Sequence, residues 1–179
     1  MNRILAATAT LAACAFFCAA GFAQIPPAGA LLPSGFSLVS EKNFASSTRI
    51  EATRPNEGIL DVKQDNPVRL TISWSRSPSP EETVQKILKA PEDAAGATAG
   101  GTRREPCGKK KYHGGVFSCQ KIVTPGSADG KTPGIVTWEM SWVGPNLTGL
   151  VNVAISGYRG PRETAEAWMD SVISALRSQ

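Results

Sequence analysis

Val136-Thr137-Trp138-Glu139-Met140-Ser141-Trp142 carries an apolar side chain at every second position, and Gly144-Pro145-Asn146 follows almost at once. Successive side chains of a strand point to opposite faces, so the run reads as a half-buried strand with Val136, Trp138, Met140 and Trp142 inward, ended by a turn. Leu147 to Tyr158 then repeats the alternation, with Leu147, Val151, Val153 and Ile155 on one face and Thr148, Asn152 and Ser156 on the other. Two such runs joined by a short turn pair antiparallel. The chain is therefore organised around an antiparallel sheet with one dry face.

Working outward, Val68, Leu70, Ile72 and Trp74 alternate with Arg69, Thr71, Ser73 and Ser75, which makes a further strand. Between Phe44 and Asn66 the pattern is weak, and only Gly58-Ile59-Leu60-Asp61-Val62 reads as a strand, ended by Asn66-Pro67. Ser79-Pro80-Glu81-Glu82 has the form of a capping box with proline at the first helical position. A helix is expected from Pro80 to Lys89, with Val84, Ile87 and Leu88 on one side and Pro91 as its stop. Residues 92–102 have little to bury and read as a loop, as does the stretch from Thr124 to Gly134.

At the C-terminus, Gly160-Pro161 opens a second helix with Glu163 and Glu166 near its positive end. Ala165, Trp168, Met169, Val172 and Leu176 form its apolar stripe, with Ile173 alongside. The four tryptophans, Trp74, Trp138, Trp142 and Trp168, all fall on apolar faces and are expected in the core. Tyr158 falls on a mostly polar face, which suits either an interface or cover by the other helix.

These elements predict an α+β fold: a single, mainly antiparallel sheet packed by two amphipathic helices, which either share a face or cover opposite faces as an α/β/α sandwich. The element order, the Ser-Pro-capped helix and the closing helix Trp168-Met169-Asp170-Ser171-Val172-Ile173-Ser174-Ala175-Leu176 resemble the PsbP-like superfamily of small α/β/α sandwiches. That superfamily includes photosystem extrinsic subunits and a nuclear import factor. The resemblance spans about residues 36–177 and implies a non-catalytic interaction module, with no family binding residue carried over.

The first residues address compartment. Arg3 precedes an apolar run from Ile4 to Phe22, and Gly21-Phe22-Ala23 offers small residues where a signal peptidase reads, so residues 1–23 are expected to be a cleaved signal peptide. Two rival readings are an uncleaved anchor and a lipid attached at Cys14, where Leu11-Ala12-Ala13-Cys14 resembles a lipobox. Alanine and threonine dilute the first, and the apolar Phe16 and Phe17 after the cysteine argue against the second. Residues 24–37, with Pro26, Pro27 and Pro33, read as an extended leader, and residues 38–179 as one domain with no membrane-spanning segment. Cleavage removes Arg3 and no acid, so the formal charge falls from +4 to +3. That charge is too mild to point to nucleic acid on its own, and export argues against that partner.

Export leaves Cys107 and Cys119 as an even pair in an oxidising compartment, which reads as a disulfide worth about 3 kcal/mol in the chain-entropy model. The spacing is not C-x-x-C, and two cysteines with the single His113 make an incomplete zinc set. No metal or cofactor is expected. The cysteines enclose the densest charge in the chain, Lys109-Lys110-Lys111, with Arg103, Arg104, Tyr112 and His113 nearby. Gly114-Gly115 suggests a hairpin turn, yet cysteines directly opposite each other require a turn centred on His113, so the two cannot both be ideal.

The expected function follows from these features: an exported, periplasmic or secreted, non-catalytic binding or accessory protein of the cell envelope. Its partner would be an envelope protein or an anionic envelope component, met by Arg103, Arg104, Lys109, Lys110, Lys111, Tyr112 and His113. The bland reading of the same residues is a solvated, lysine-protected sheet edge. The functional rival is a secreted enzyme inhibitor or immunity protein that presents the disulfide-tied hairpin. Catalysis finds no motif: Ser118 near His113 lacks a nucleophile-elbow context, and the acids are scattered. Asn146-Leu147-Thr148 matches a glycosylation acceptor but carries no weight behind a bacterial-type signal.

Overall fold

The computed structural model describes residues 26–55, 67–75, 80–96, 100–145 and 149–178. The signal segment, the strand expected at Gly58–Val62, the Ser79 cap and the Asn146-Leu147-Thr148 site lie outside these residues. Within them the elements run α1 (Ala28–Leu31), β1 (Ser37–Asn43), β2 (Ser47–Arg54), β3 (Val68–Ser75), α2 (Glu81–Asp93), β4 (Arg103–Tyr112), β5 (Gly115–Thr124), β6 (Ile135–Val143), β7 (Leu150–Ser156) and α3 (Arg162–Arg177). Seven strands form one sheet in the order β1-β2-β3-β7-β6-β5-β4, with every neighbouring pair antiparallel. The α+β expectation holds.

The register explains which residues make the core. Ile50, Ile72, Val153, Met140 and Cys119 stand side by side across β2, β3, β7, β6 and β5, each at most 1% exposed. Flanking rows place Trp74, Val151, Trp142 and Phe117 on one side and Ala52, Leu70, Ile155 and Trp138 on the other. Ala165, Trp168, Met169, Val172 and Ile173 of α3 close over this face, and all four tryptophans are buried.

The intervening residues point the other way, and α2 lies there. Ser118, next to Phe117 in β5, is buried and donates its hydroxyl to the carbonyl of Leu88 in α2 at 3.2 Å. Val84 and Leu88 pack with Val143 and the partly buried Leu150. The two long helices therefore cover opposite faces, α3 over the apolar centre and α2 over the β4-β5-β6 end. No helix among the described residues is long and apolar enough to cross a membrane.

Several expectations need correction. The supposed leader is part of the core: α1 packs on α3, and Ala28, Leu31 and Phe36 are buried. Phe36 meets Trp168 edge-on, with centroids 5.1 Å apart, while the Arg54 guanidinium lies 5.3 Å from the Trp168 ring. The expected helix 80–89 starts one residue later, with Pro80 at the N-cap, and runs past Pro91 to Asp93. Proline near a helix end forfeits a single backbone bond, and the Ala94 N–H still reaches the Ala90 carbonyl at 3.0 Å. Tyr158 does not stay on the polar face of β7. Gly157, at φ +84°, ends the alternation, and Tyr158 turns to the α3 side, 4.7 Å from the Trp168 ring.

A braced basic hairpin as candidate functional site

β4 is an edge strand, and its sequence suits that place. Pro106 lacks a donor and is tolerated only where a strand has a free side, while lysines discourage edge-to-edge pairing. The β4–β5 turn is neither of the arrangements expected. Tyr112 pairs with Gly115, so His113 and Gly114 are the central residues, at φ +47° and +75°. Positive φ at both positions is the type I′ signature, and histidine tolerates it better than most side chains. Gly115 instead opens β5. A Cβ there would lie 2.1 Å from the Val143 carbonyl oxygen, so only glycine permits β5 and β6 to approach so closely.

With this turn the residue opposite Cys119 is Gly108, not Cys107. A bulge between Pro106 and Gly108 inserts Cys107 as the extra residue, and Gly108 takes φ +88° beside it. The bulge reconciles turn and cross-link: Cys107 and Cys119 are joined, with Cα atoms 5.2 Å apart.

Alternation along β4 then divides the basic residues between the faces. Lys109 reaches α2, where its ammonium pairs with Glu92 at 3.0 Å. Lys110 reaches α3 and pairs with Glu166 at 2.6 Å, its charge also lying 5.0 Å from the Phe117 ring. Tyr112 donates its hydroxyl to Asp170 at 2.6 Å, and His113 Nε2 meets the same carboxylate oxygen at 2.5 Å. Arg103 pairs with Glu105 at 3.1 Å on a largely exposed surface. Arg104 and Lys111 make no ion pair among the described residues. Four of the seven expected contact residues are thus anchored to helices, and His113 is half-buried.

Glu166 and Asp170 are the partners that the sequence did not reveal. They stand one turn apart on α3, so both face the hairpin. Their environment is set by these contacts. Burial opposes ionisation of Glu166, but bonds from Lys110 and Arg162 outweigh it and hold the carboxyl below its usual range. Bonds from Tyr112 and His113 hold Asp170 down in the same way. Burial first, then the bond to Asp170 and the charges of Asp170 and Glu166, push the Tyr112 phenol up.

Each shift has a stability consequence of known sign. A carboxyl lowered by folding contributes stability that is present above its unfolded pKa, about 4, and lost as pH falls through the lower folded value. A phenol raised by folding contributes below its unfolded pKa, about 10, and loses that contribution as pH climbs towards the folded value. Urea unfolding across pH should therefore weaken below about pH 4 and above about pH 10. Tyr112→Phe should flatten the alkaline limb and Asp170→Asn should shallow the acid one. Unchanged limbs in both variants would mean that the hairpin–helix contacts are absent in solution.

Ser118 and His113 do not meet, since Ser118 bonds to α2 and His113 to α3 across the sheet. Among the described residues no group of three or more His, Cys, Asp or Glu is placed to hold a metal ion. On the α2 side the hairpin tip borders a cleft of about 350 Å³, lined by Val84, Leu88, Val116, Val143, Pro145 and Lys111 among others. No protein-family model and no curated protein matches the chain.

Proposed function

We propose that the chain is an exported, non-catalytic binding or accessory protein of the cell envelope that engages an anionic partner through the α2-facing side of the β4–β5 hairpin. The observation that supports it is the bracing of that hairpin. A disulfide ties its limbs, Lys109 clamps it to α2, and Lys110, Tyr112 and His113 clamp it to α3. Groups presented from a backbone so held lose little further entropy on binding. Arg104 and Lys111, on the side away from α3, make no ion pair among the described residues. The resemblance to PsbP-like sandwiches agrees with this reading and does not carry it.

Bracing also dictates the test. Neutralising all three lysines would also remove the Lys109–Glu92 and Lys110–Glu166 anchors, confusing lost contact with lost anchoring. Arg104→Gln combined with Lys111→Gln leaves every described ion pair in place. In affinity capture from envelope extract, the native protein should retain a specific partner and this double variant several-fold less of it. Equal capture by the two would remove the hairpin from the interaction.

A further inference from the structure

The sheet ends in two edges of opposite character. β4 carries Pro106, a bulge and three consecutive lysines, all of which discourage a further strand. β1 has no proline, and three of the five large apolar side chains left exposed among the described residues gather on it and on the turn that follows: Leu38 at 48%, Val39 at 61% and Phe44 at 55%. Single exposed apolar side chains are ordinary, whereas a group of them along an unpaired strand marks a surface that a partner covers. Val39 is the extra residue of a bulge between Leu38 and Ser40, and from Ser40 to Phe44 the strand keeps unbroken register with β2. The Phe44 N–H donates to the Ser47 carbonyl at 2.8 Å, and bonded and unbonded pairs alternate back along the ladder. The N–H and C=O of Glu41 and Asn43 therefore point away from β2, and among the described residues no strand takes them up.

We propose that this edge docks an extended segment of a partner protein, which adds antiparallel beside β1 and bonds to the backbone of Glu41 and Asn43. Charge complementarity sets the sequence of that segment. Glu41 lies opposite Ile50 and so on the α3 face, while Lys42 lies opposite Arg49 on the other face and makes no ion pair among the described residues. Residues directly opposite in an antiparallel pair share a face, so the segment sets an acid against Lys42 and, next in its own sequence, a base against Glu41. An apolar residue two places before the acid reaches Phe44, and one two places after the base reaches the Leu38 and Val39 end. β1 itself reads Val39-Ser40-Glu41-Lys42-Asn43-Phe44, which is that pattern, yet a second folded copy cannot use it. Two identical free edges pair antiparallel about a two-fold axis normal to the sheet, which keeps every residue on its own face. The registers that engage most of the regular run then set Glu41 against Glu41 or Lys42 against Lys42, and like charges directly opposite are unfavourable. A segment free to turn over escapes that constraint, so the fitting occupant is a strand from another protein.

The test uses the purified protein and a synthetic peptide copying residues 38–45, followed by amide shifts and hydrogen exchange along β1. In the free protein the Glu41 and Asn43 amides should exchange fast and that of Lys42, which faces β2, slowly. The peptide should shift the first two saturably and slow their exchange, while a peptide N-methylated at its Ser40 and Lys42 positions, which cannot donate across this edge, should not. Exchanging the peptide's glutamate and lysine should weaken binding about fivefold or more, and the protein variant Glu41→Lys with Lys42→Glu should restore it. Phe44→Ser, at a side chain mostly in solvent, should weaken binding several-fold with little change in the unfolding midpoint. Arg104→Gln with Lys111→Gln should bind the peptide as the native protein does, since the hairpin lies at the other edge. Silent Glu41 and Asn43 amides, slow exchange of both before any peptide is added, or equal binding of the two charge orders would each overturn the site. A concentration-dependent dimer that Val39→Lys dissolves would also overturn it, by making a second copy the occupant.

Discussion

Trp168→Ala should destabilise the protein by about 3–5 kcal/mol, the range for truncating a large aromatic in a packed core. The reason is the number of elements that meet at this ring. Phe36 contacts its edge, Tyr158 packs at 4.7 Å, the Arg54 guanidinium sits at 5.3 Å, and the ring itself holds α3 to the sheet. The N-terminal segment depends on it most, because residues 26–36 have only one short helix and a few buried side chains of their own. Limited proteolysis of the variant should accordingly begin within residues 26–36 before the remainder unfolds, while the native protein resists there. A loss under about 1.5 kcal/mol with no early cleavage would show that the segment does not pack on Trp168 in solution. That outcome would restore the leader that the prolines suggest.

The contrast between this segment and the sheet centre shows what the sequence could convey. β3, β6, β7 and α3 were legible because each carries its own large apolar residues at the period of its structure, so burial is written into the element itself. β2 alternates too, but its inward residues are Thr48, Ile50 and Ala52, too small and too polar to stand out. β1 has no inward face to read, since all its residues but the half-buried Ser40 are exposed at the sheet edge. α1 is a single turn without side-chain caps whose burial comes from contacts distant in its own pattern, chiefly with α3, so no local pattern announces it. The candidate site divides in the same manner. Its cations are contiguous in the chain and conspicuous, whereas Glu166 and Asp170 lie 56 to 58 residues away and meet them only because α3 returns across the face beside β4. Which lysines are anchored and which is free depends on strand parity after the Cys107 bulge, a register detail that composition does not encode.

The cross-link at that bulge should be worth about 3 kcal/mol, the chain-entropy value for a loop of this length. Cys107→Ala with Cys119→Ala, or reduction of the native protein, should then lower the melting temperature by about 6–12 °C for a domain of this size. Cys107→Ala alone separates the cross-link from packing, since Cys119 is 1% exposed in the core row and remains there as a thiol. The position of the damage is as informative as its size. The tip is held independently, through Lys110–Glu166 and the Tyr112 and His113 bonds to Asp170, so it should keep its slow amide exchange. The base, from Arg103 to Gly108, lies on a sheet edge where Pro106 gives no ladder bond, so its exchange should quicken. Arg104 sits in that base and Lys111 in the tip, which gives the loss a functional signature. Removing the disulfide should weaken any contact made by Arg104 more than one made by Lys111. Uniform quickening along the whole hairpin would mean instead that the helix contacts cannot hold the tip alone, and that the disulfide is what keeps Lys111 at the cleft.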